Sequence, residues 1–141
     1  MASSVEIHRA AHDAFNQRDW DRMRALAAET IVYDDRPRGL TLGSRDDFLG
    51  WLQEWATGMS DARVSEPDYL EAGEYSVCRF RGQGTNDGPM GPTAAVTGKR
   101  MDMPFCEILG VRDGRITSGE IFYDQLTMLS QLGLTEAPVP A

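Results

Sequence analysis

The sequence predicts an α+β domain in which helices cover one face of a curved, mostly antiparallel sheet. Helical spacing of apolar residues dominates the first 60 positions, and strand-like alternation dominates residues 64–124. Helices followed by a run of strands are typical of this class, because consecutive strands pair with each other. With 141 residues, 41% of them hydrophobic, the chain is predicted to form a single domain, 1–141, frayed at 1–4 and 135–141.

Three helices are predicted ahead of the main run of strands. The first begins at the Ser3–Ser4 cap signal and places His8, His12 and Phe15 on one face. A second helix begins at Trp20, and the spacing of its apolar residues buries one side of it. The third lies between the Ser44 N-cap and Gly58, where four aromatic or apolar residues recur at helical spacing: Phe48, Trp51, Leu52 and Trp55.

Five strands are predicted, over residues 30–34, 64–72, 76–84, 99–111 and 115–124. An Asp113–Gly114 turn joins the last two strands, because Asp-Gly between alternating apolar residues is a strong hairpin signal. Residues 84–98 are rich in Gly and Pro and have no period, which predicts a long connection that is flexible or folded over an opening. Spacing over Leu126–Leu132 predicts a final helix that stops at Gly133.

The register of the last hairpin is open between two alternatives. A strict two-residue turn pairs Arg112 with Arg115 and gives Glu107 three neighbours on its face: Glu120, Phe122 and Asp124. One more residue in the loop shifts the pairing and gives Glu107 another set: Gly119, Ile121 and Tyr123. The shifted register is favoured because it buries the apolar set and exposes Arg115.

Composition excludes several classes of function. A net charge of −8 without any run of Lys or Arg argues against a nucleic-acid partner. There is no apolar run of the roughly 20 residues that span a membrane and no signal-peptide pattern, so a cytoplasmic protein is expected. Cys78 and Cys106 lie in separate strands without metal-ligand spacing, and the paired acids lack metal-loop spacing. No metal and no cofactor are therefore predicted.

Four motifs carry a resemblance to the SnoaL-like polyketide cyclases of the nuclear-transport-factor-2-like superfamily, which also contains ketosteroid isomerase and limonene epoxide hydrolase. They are the FNxxDW helix break, the acidic end of the first strand, the DGRI hairpin and the D-x-L-x-x-L-x-QLG ending. The resemblance covers about residues 5–134. It implies a cone-shaped α+β barrel with an apolar pocket, chemistry by carboxylates, Tyr or His without a cofactor, and a homodimer formed through the exposed sheet face.

The resemblance also assigns site residues. Alignment with ketosteroid isomerase places Asp34 at its general base and Glu107 at the carboxylic acid of its oxyanion hole. The helical Tyr of that oxyanion hole would fall near Ala11, a departure that argues against a literal steroid isomerase. His12, one position along, is the candidate to substitute for it. Alignment with the cyclases places Ile121 at their usual acid, which is a departure, and matches Asp124 to a recurrent acid before the final helix.

Two acidic positions each have an alternative interpretation. Glu107 lies in an apolar strand, so a dry pocket would raise its pKa and make it a proton donor or base; the alternative is an outward Glu paired with Arg112 or Lys99. Asp34 and Asp35 point to opposite sides of a strand, so only one enters a pocket, and the resemblance selects Asp34. Its alternative role is turn formation.

Aromatic and apolar residues complete the predicted site. Tyr123 joins the catalytic candidates Glu107, Asp34, Asp124 and His12, because a phenol can orient a carbonyl. The predicted substrate-binding residues are Phe15, Tyr33, Trp51, Trp55, Phe105 and Ile121.

Two classes of function follow. The first is a cofactor-independent acid-base enzyme of cyclase or isomerase type, acting on a hydrophobic carbonyl-bearing molecule such as a polyketide, or on an epoxide by ring opening. The second is a non-catalytic member that binds a hydrophobic ligand or a protein partner. A purely structural dimer module is a weaker third alternative.

Overall fold

The computed structural model describes residues 2–90 and 95–135 as four helices packed on one six-stranded sheet. The elements are α1 (Ser4–Gln17), α2 (Trp20–Leu26), β1 (Ala27–Asp35), β2 (Leu40–Leu42), α3 (Arg45–Gly58), β3 (Arg63–Ala72), β4 (Tyr75–Thr85), β5 (Arg100–Arg112), β6 (Arg115–Phe122) and α4 (Gln125–Gln131). The middle of the predicted 84–98 connection, residues 91–94, and nearly all of the predicted frayed tail lie outside the described residues.

The strands lie in the order β2-β1-β6-β5-β4-β3, and of the described pairs only β1 with β6 is parallel. The prediction of a mostly antiparallel α+β fold is confirmed. Strands β2 and β3 are the two edges of the sheet, so the sheet is open rather than closed into a complete barrel. Strand β2 was not predicted, because three residues are too few to show an alternating pattern.

Local signals fix the helix ends. Ser3 caps α1: its Oγ accepts a hydrogen bond from the Glu6 N–H at 3.1 Å, and the Glu6 carboxylate accepts one from the Ser3 N–H at 3.3 Å. Arg18 ends α1 in the left-handed region, with φ 57°, and its guanidinium donates to the Ala62 carbonyl at 2.7 Å. These contacts hold α1 against the beginning of β3.

The hairpin between β5 and β6 combines features of both predicted registers. Asp113 and Gly114, with φ of 51° and 73°, form a two-residue turn that pairs Arg112 with Arg115. The extra residue follows inside β6, where the pairing shifts between Gly110 and Val111. Beyond that bulge the favoured register holds, and Glu107 pairs with Ile121 on the inner face.

Aromatic packing fixes α3 over β1. The Tyr33 ring lies 4.9 Å from the Phe48 ring and 4.8 Å from the Trp51 ring, measured between centroids. Helix α1 covers the other part of the sheet, against β3, β4 and β5. A pocket remains between the two helices and the inner face of the sheet. Within the described residues, no helix is long and apolar enough to cross a membrane.

Candidate functional site

The pocket between α1, α3 and the sheet has a volume of about 680 Å³, including its open mouth. Its walls are mainly apolar, and they include five of the six predicted substrate-binding residues: Phe15, Trp51, Trp55, Phe105 and Ile121. Tyr33 is fully buried behind them and is not a lining residue. Among the described residues, the charged or strongly polar side chains that line the pocket are His12, Arg63, Gln83 and Glu107. Such a cavity fits a hydrophobic molecule with a few polar atoms.

Glu107 lines this pocket and accepts three side-chain hydrogen bonds. His8 Nε2 and His12 Nε2 each lie 2.8 Å from Glu107 Oε1, and the Tyr33 hydroxyl donates to Oε2. Glu107 is 8% exposed and His8 is fully buried. Three donors around one carboxylate stabilise its ionised form in a place that water hardly reaches.

The outer nitrogens of both histidines are also hydrogen bonded. His8 Nδ1 lies 2.7 Å from Ser76 Oγ, and His12 Nδ1 lies 2.8 Å from the Tyr69 hydroxyl. Because ionised Glu107 can only accept, each Nε2 carries the proton. In a neutral imidazole, Nδ1 then accepts from the hydroxyl, so Ser76 and Tyr69 fix the tautomer and orientation of the two rings.

The pKa of Glu107 is shifted in the direction opposite to the prediction. Burial alone would raise the pKa, but the hydrogen bonds from His12 and His8 outweigh burial and hold the pKa of Glu107 well below its usual range. The predicted rise was wrong because the sequence shows an apolar strand and does not show the donors brought by α1. Glu107 is therefore a buried carboxylate rather than a neutral acid.

Two neighbours of Glu107, His8 and Tyr33, are neutral at physiological pH. Burial lowers the pKa of His8, which favours the uncharged imidazole. Burial and the adjacent Glu107 raise the pKa of Tyr33 well above that of a free phenol, so Tyr33 keeps its proton and donates it. The cluster therefore carries the negative charge of Glu107, which the hydrogen bonds from His8, His12 and Tyr33 stabilise.

His8 was not among the predicted site residues. The sequence did contain a signal for it, because His8 and His12 are four positions apart on the face of α1 that also carries Ala11 and Phe15. The predicted fraying at residues 1–4 would leave His8 close to a loose helix start. The structure instead caps α1 at Ser3, and the first turn of the helix is ordered against the sheet.

The acid of β1 that points inward is Asp35, and the prediction that Asp34 does so was wrong. Asp34 accepts a hydrogen bond from Thr41 Oγ1 at 2.6 Å and pairs with Arg36 at 3.4 Å, outside the pocket. Asp35 is fully buried. The side chains alternate as expected, but the parallel pairing of β1 with β6, which sets the inward face, is not visible in the local sequence.

Asp35 forms a second buried cluster behind the pocket wall. The Tyr123 hydroxyl donates to Asp35 at 2.9 Å, and the Trp51 indole N–H donates to it at 3.0 Å. Burial, together with the adjacent Asp35, raises the pKa of Tyr123. Tyr123 therefore lies near the pocket without lining it, and its hydroxyl is already bonded to Asp35. This cluster connects β1, α3 and the end of β6.

Asp124, another predicted catalytic residue, is exposed and caps α4. Its carboxylate accepts a hydrogen bond from the Thr127 N–H at 3.1 Å, and this contact lowers its pKa. It does not line the pocket. The structure thus brings Glu107 and His12 together and places Asp34, Tyr123 and Asp124 elsewhere.

The hydrogen bond from Tyr33 to Glu107 gives a prediction about stability and pH. We expect Tyr33→Phe to lower the free energy of unfolding by about 1.5–3 kcal/mol at neutral pH, since a buried charged group loses a donor. Because the pKa of Glu107 is lowered in the folded state, ionised Glu107 contributes its full share of the free energy of unfolding above about pH 4.5. This share is lost as the pH falls through the folded-state pKa. Urea unfolding of both proteins at several pH values measures this. A difference that stays constant across the acid range would contradict it.

Comparison with known proteins places the chain among relatives of this shape. The sequence profile of the SnoaL-like polyketide cyclase family matches residues 5–132. A search of curated proteins gave no significant match.

Solved structures resemble this chain over nearly its full length. IdmH, a proposed polyketide cyclase from Streptomyces antibioticus, is 26% identical with a TM-score of 0.77, over 94% of this chain and 99% of that chain. A proposed polyketide cyclase from Pseudomonas putida is 19% identical with a TM-score of 0.82, over 93% and 98%. A protein with a ketosteroid isomerase-like fold from Catenulispora acidiphila, solved with trimethylamine, is 23% identical with a TM-score of 0.78, over 98% and 100%.

Proposed function

Because the chain belongs to the SnoaL-like polyketide cyclase family, we propose that it is a cyclase- or isomerase-type enzyme acting on a hydrophobic, carbonyl-bearing small molecule such as a polyketide. The observation that supports this most strongly is the buried Glu107 carboxylate, bonded to His12 in the wall of an apolar pocket. A carboxylate–imidazole pair in such a place is suited to proton transfer.

In the proposed mechanism, His12 carries the proton and Glu107 supports it. The Glu107 carboxylate accepts from Nε2–H, which orients the ring and stabilises the imidazolium that forms. Nδ1 takes a proton from the carbon next to the substrate carbonyl, directly or through the Tyr69 hydroxyl that now donates to it. The C–H electron pair becomes the enolate.

The enolate can then react in two ways, and the Glu107–His12 pair supports both reactions. In an aldol-type cyclisation, the enolate carbon forms a bond to a second carbonyl carbon of the substrate, and the new alkoxide takes the proton from His12. In an isomerisation, the proton returns to a different carbon. Both reactions leave Glu107 and His12 as they began, and Arg63 and Gln83 supply polar groups for substrate oxygens along the pocket.

Proton exchange into a ketone tests this proposal without knowledge of the natural substrate. 2-Tetralone, a bicyclic ketone, is incubated with the protein in D2O, and loss of its α-proton signals is followed by NMR. We expect the wild type to accelerate exchange over buffer, and Glu107→Gln to lower the protein-dependent rate by about 10²–10⁴-fold, the usual contribution of acid-base groups.

Asp34→Asn is the matched control, because Asp34 is an acid of the same sheet that lies outside the pocket. It is expected to exchange like the wild type. Loss of exchange in Asp34→Asn, or full exchange in Glu107→Gln, would contradict the assignment of proton transfer to the Glu107–His12 pair.

A second candidate is a non-catalytic protein that binds a hydrophobic ligand. It is favoured by the hydrogen bonding of both His12 nitrogens within the protein and by Ile121 at the position of the usual cyclase acid. Saturable binding of 2-tetralone without any acceleration of exchange would support this candidate. Epoxide opening is less well supported, because it needs two acids and Glu107 is the one carboxylate among the described lining residues.

We also propose that the protein forms a homodimer through the outer face of the sheet. Four large apolar residues on that face are 42–57% exposed: Val32, Leu70, Tyr75 and Phe122. Light scattering after size-exclusion chromatography should give twice the 15.6 kDa chain mass for the wild type and a lower mass for Phe122→Lys. A monomeric wild type at high concentration would exclude this arrangement.

A further inference from the structure

We propose that His8, His12 and Glu107 also form a binding site for a divalent transition-metal ion. The three residues each offer one ligand atom, and these atoms lie within 4.8 Å of one another. All three side chains are buried, so few water molecules compete with them for the ion. Sequence spacing predicted no metal, because the third ligand is more than 90 positions away from the two histidines.

Each nitrogen–oxygen distance fits a metal ion placed between those two atoms. Each Nε2 lies 2.8 Å from Glu107 Oε1. An ion about 2.1 Å from the nitrogen and from the oxygen would subtend an angle of about 84° between them, close to the right angle of five- and six-coordinate sites. The ion would take the place of the two N–H protons that now point at Oε1.

The groups behind the histidines can adjust to such an ion. When a metal takes Nε2, a neutral imidazole must carry its proton on Nδ1 and donate it. The partners of the two Nδ1 atoms are the hydroxyls of Ser76 and Tyr69, at 2.7 and 2.8 Å. A hydroxyl can accept as well as donate, so the tautomer can change while both hydrogen bonds remain.

The donor set and its position indicate the kind of ion. Two imidazoles and one carboxylate favour Zn²⁺, Fe²⁺, Co²⁺ or Ni²⁺ over Mg²⁺ and Ca²⁺, which prefer oxygen ligands. His12 and Glu107 line the pocket and His8 does not, so the remaining coordination positions face the pocket. A water molecule or a ligand oxygen could occupy them.

This inference goes beyond the proposed function and does not rest on it. A bound ion would occupy Glu107 Oε1 and both Nε2 atoms, which the proposed proton transfer needs for the Glu107–His12 hydrogen bond. Metal binding would therefore inhibit acid-base chemistry at this site. A protein that only binds ligands could hold the same ion.

Cobalt titration tests the site through a spectroscopic signal. Full-length protein is dialysed against EDTA, freed of chelator and titrated with Co²⁺ alone while the visible d–d absorption is recorded. We expect one ion per chain, displaced by one equivalent of Zn²⁺. Ser76→Ala should weaken binding about 10–100-fold, the usual effect of losing a group that supports a ligand. Glu107→Gln should weaken it further.

Cys78→Ser is the control, because Cys78 is a buried thiol opposite Glu107 on the neighbouring strand. It should bind Co²⁺ like the wild type. Binding that is lost in Cys78→Ser, or a wild type that binds no more tightly than a correctly folded Glu107→Gln, would overturn the proposal. His12→Gln provides a second ligand variant if Glu107→Gln does not fold.

The same sample separates the two proposals. Exchange of 2-tetralone protons is measured in EDTA and then with Zn²⁺. Exchange in EDTA that Zn²⁺ abolishes supports both proposals, and the absence of exchange in EDTA contradicts the proposed function while the Co²⁺ spectrum still reports the metal site. Exchange that saturating Zn²⁺ leaves unchanged contradicts the metal site.

Discussion

Replacing Asp35 with alanine is expected to lower the free energy of unfolding by about 2–6 kcal/mol, because two buried donors lose their acceptor at about 1–3 kcal/mol each. The donors are the Tyr123 hydroxyl and the Trp51 indole N–H, at 2.9 and 3.0 Å from the carboxylate. The Arg38 guanidinium, 4.0 Å away, also loses its negative neighbour. Urea unfolding followed by tryptophan fluorescence measures the change.

Asp34→Ala is the matched variant, one residue earlier in the same strand. Asp34 pairs with Thr41 and Arg36 at the surface, so its replacement should have a much smaller effect. Equal losses of stability for the two variants would show that Asp35 is not the buried acid of β1.

The second large effect concerns His12. In the proposed mechanism, His12→Ala lowers the rate of 2-tetralone exchange by about 10²–10⁴-fold and leaves a space in the pocket wall beside Glu107. Because that space opens to the pocket, imidazole added to the buffer should enter it and restore part of the rate. NMR exchange rates across a range of imidazole concentrations measure the effect.

His8→Ala provides the comparison for this rescue. His8 binds the same carboxylate oxygen but is fully buried and does not line the pocket. Added imidazole should not restore exchange in this variant. Rescue of both variants, or of neither, would argue against His12 as the proton carrier.

Elements with strong local signals could be predicted from the sequence. The cap at Ser3, the N-cap at Ser44 and the turn at Asp113–Gly114 all occur where the pattern indicated. The bulge in β6 has no comparable signal, because it depends on how both strands pack in the sheet. Alternation therefore gave two possible sets of neighbours for Glu107 on its face of the sheet, and tertiary packing selected one.

The site was predicted in part, for a related reason. Glu107 and His12 could be found because a carboxylate in an apolar strand and a histidine on an apolar helix face are both unusual. Their mutual contact spans 95 positions of the chain. That contact helps to lower the pKa of Glu107, so Glu107 is a carboxylate and not a neutral carboxylic acid. No local pattern contains this information.

Asp34 and Asp35 show the same limit within two residues. Both are compatible with an acidic strand end, and the inward one is determined by pairing with β6, more than 80 positions later. His8, Tyr69 and Ser76 were missed because their roles depend on hydrogen-bond partners far away in the chain rather than on their own sequence context.

The pKa of Glu107 is the first quantity to measure, since a buried, ionised carboxylate supports both the proposed chemistry and the metal site. It can be measured by carboxyl-carbon NMR titration, with Glu107→Gln used to assign the signal. We expect Glu107 to stay ionised at pH values well below 4.5, the ordinary pKa of a Glu carboxyl, because His12, His8 and Tyr33 donate to it. A pKa above 4.5 would mean that burial outweighs these donors, and it would contradict the assignment of Glu107 as the ionised carboxylate of the pocket.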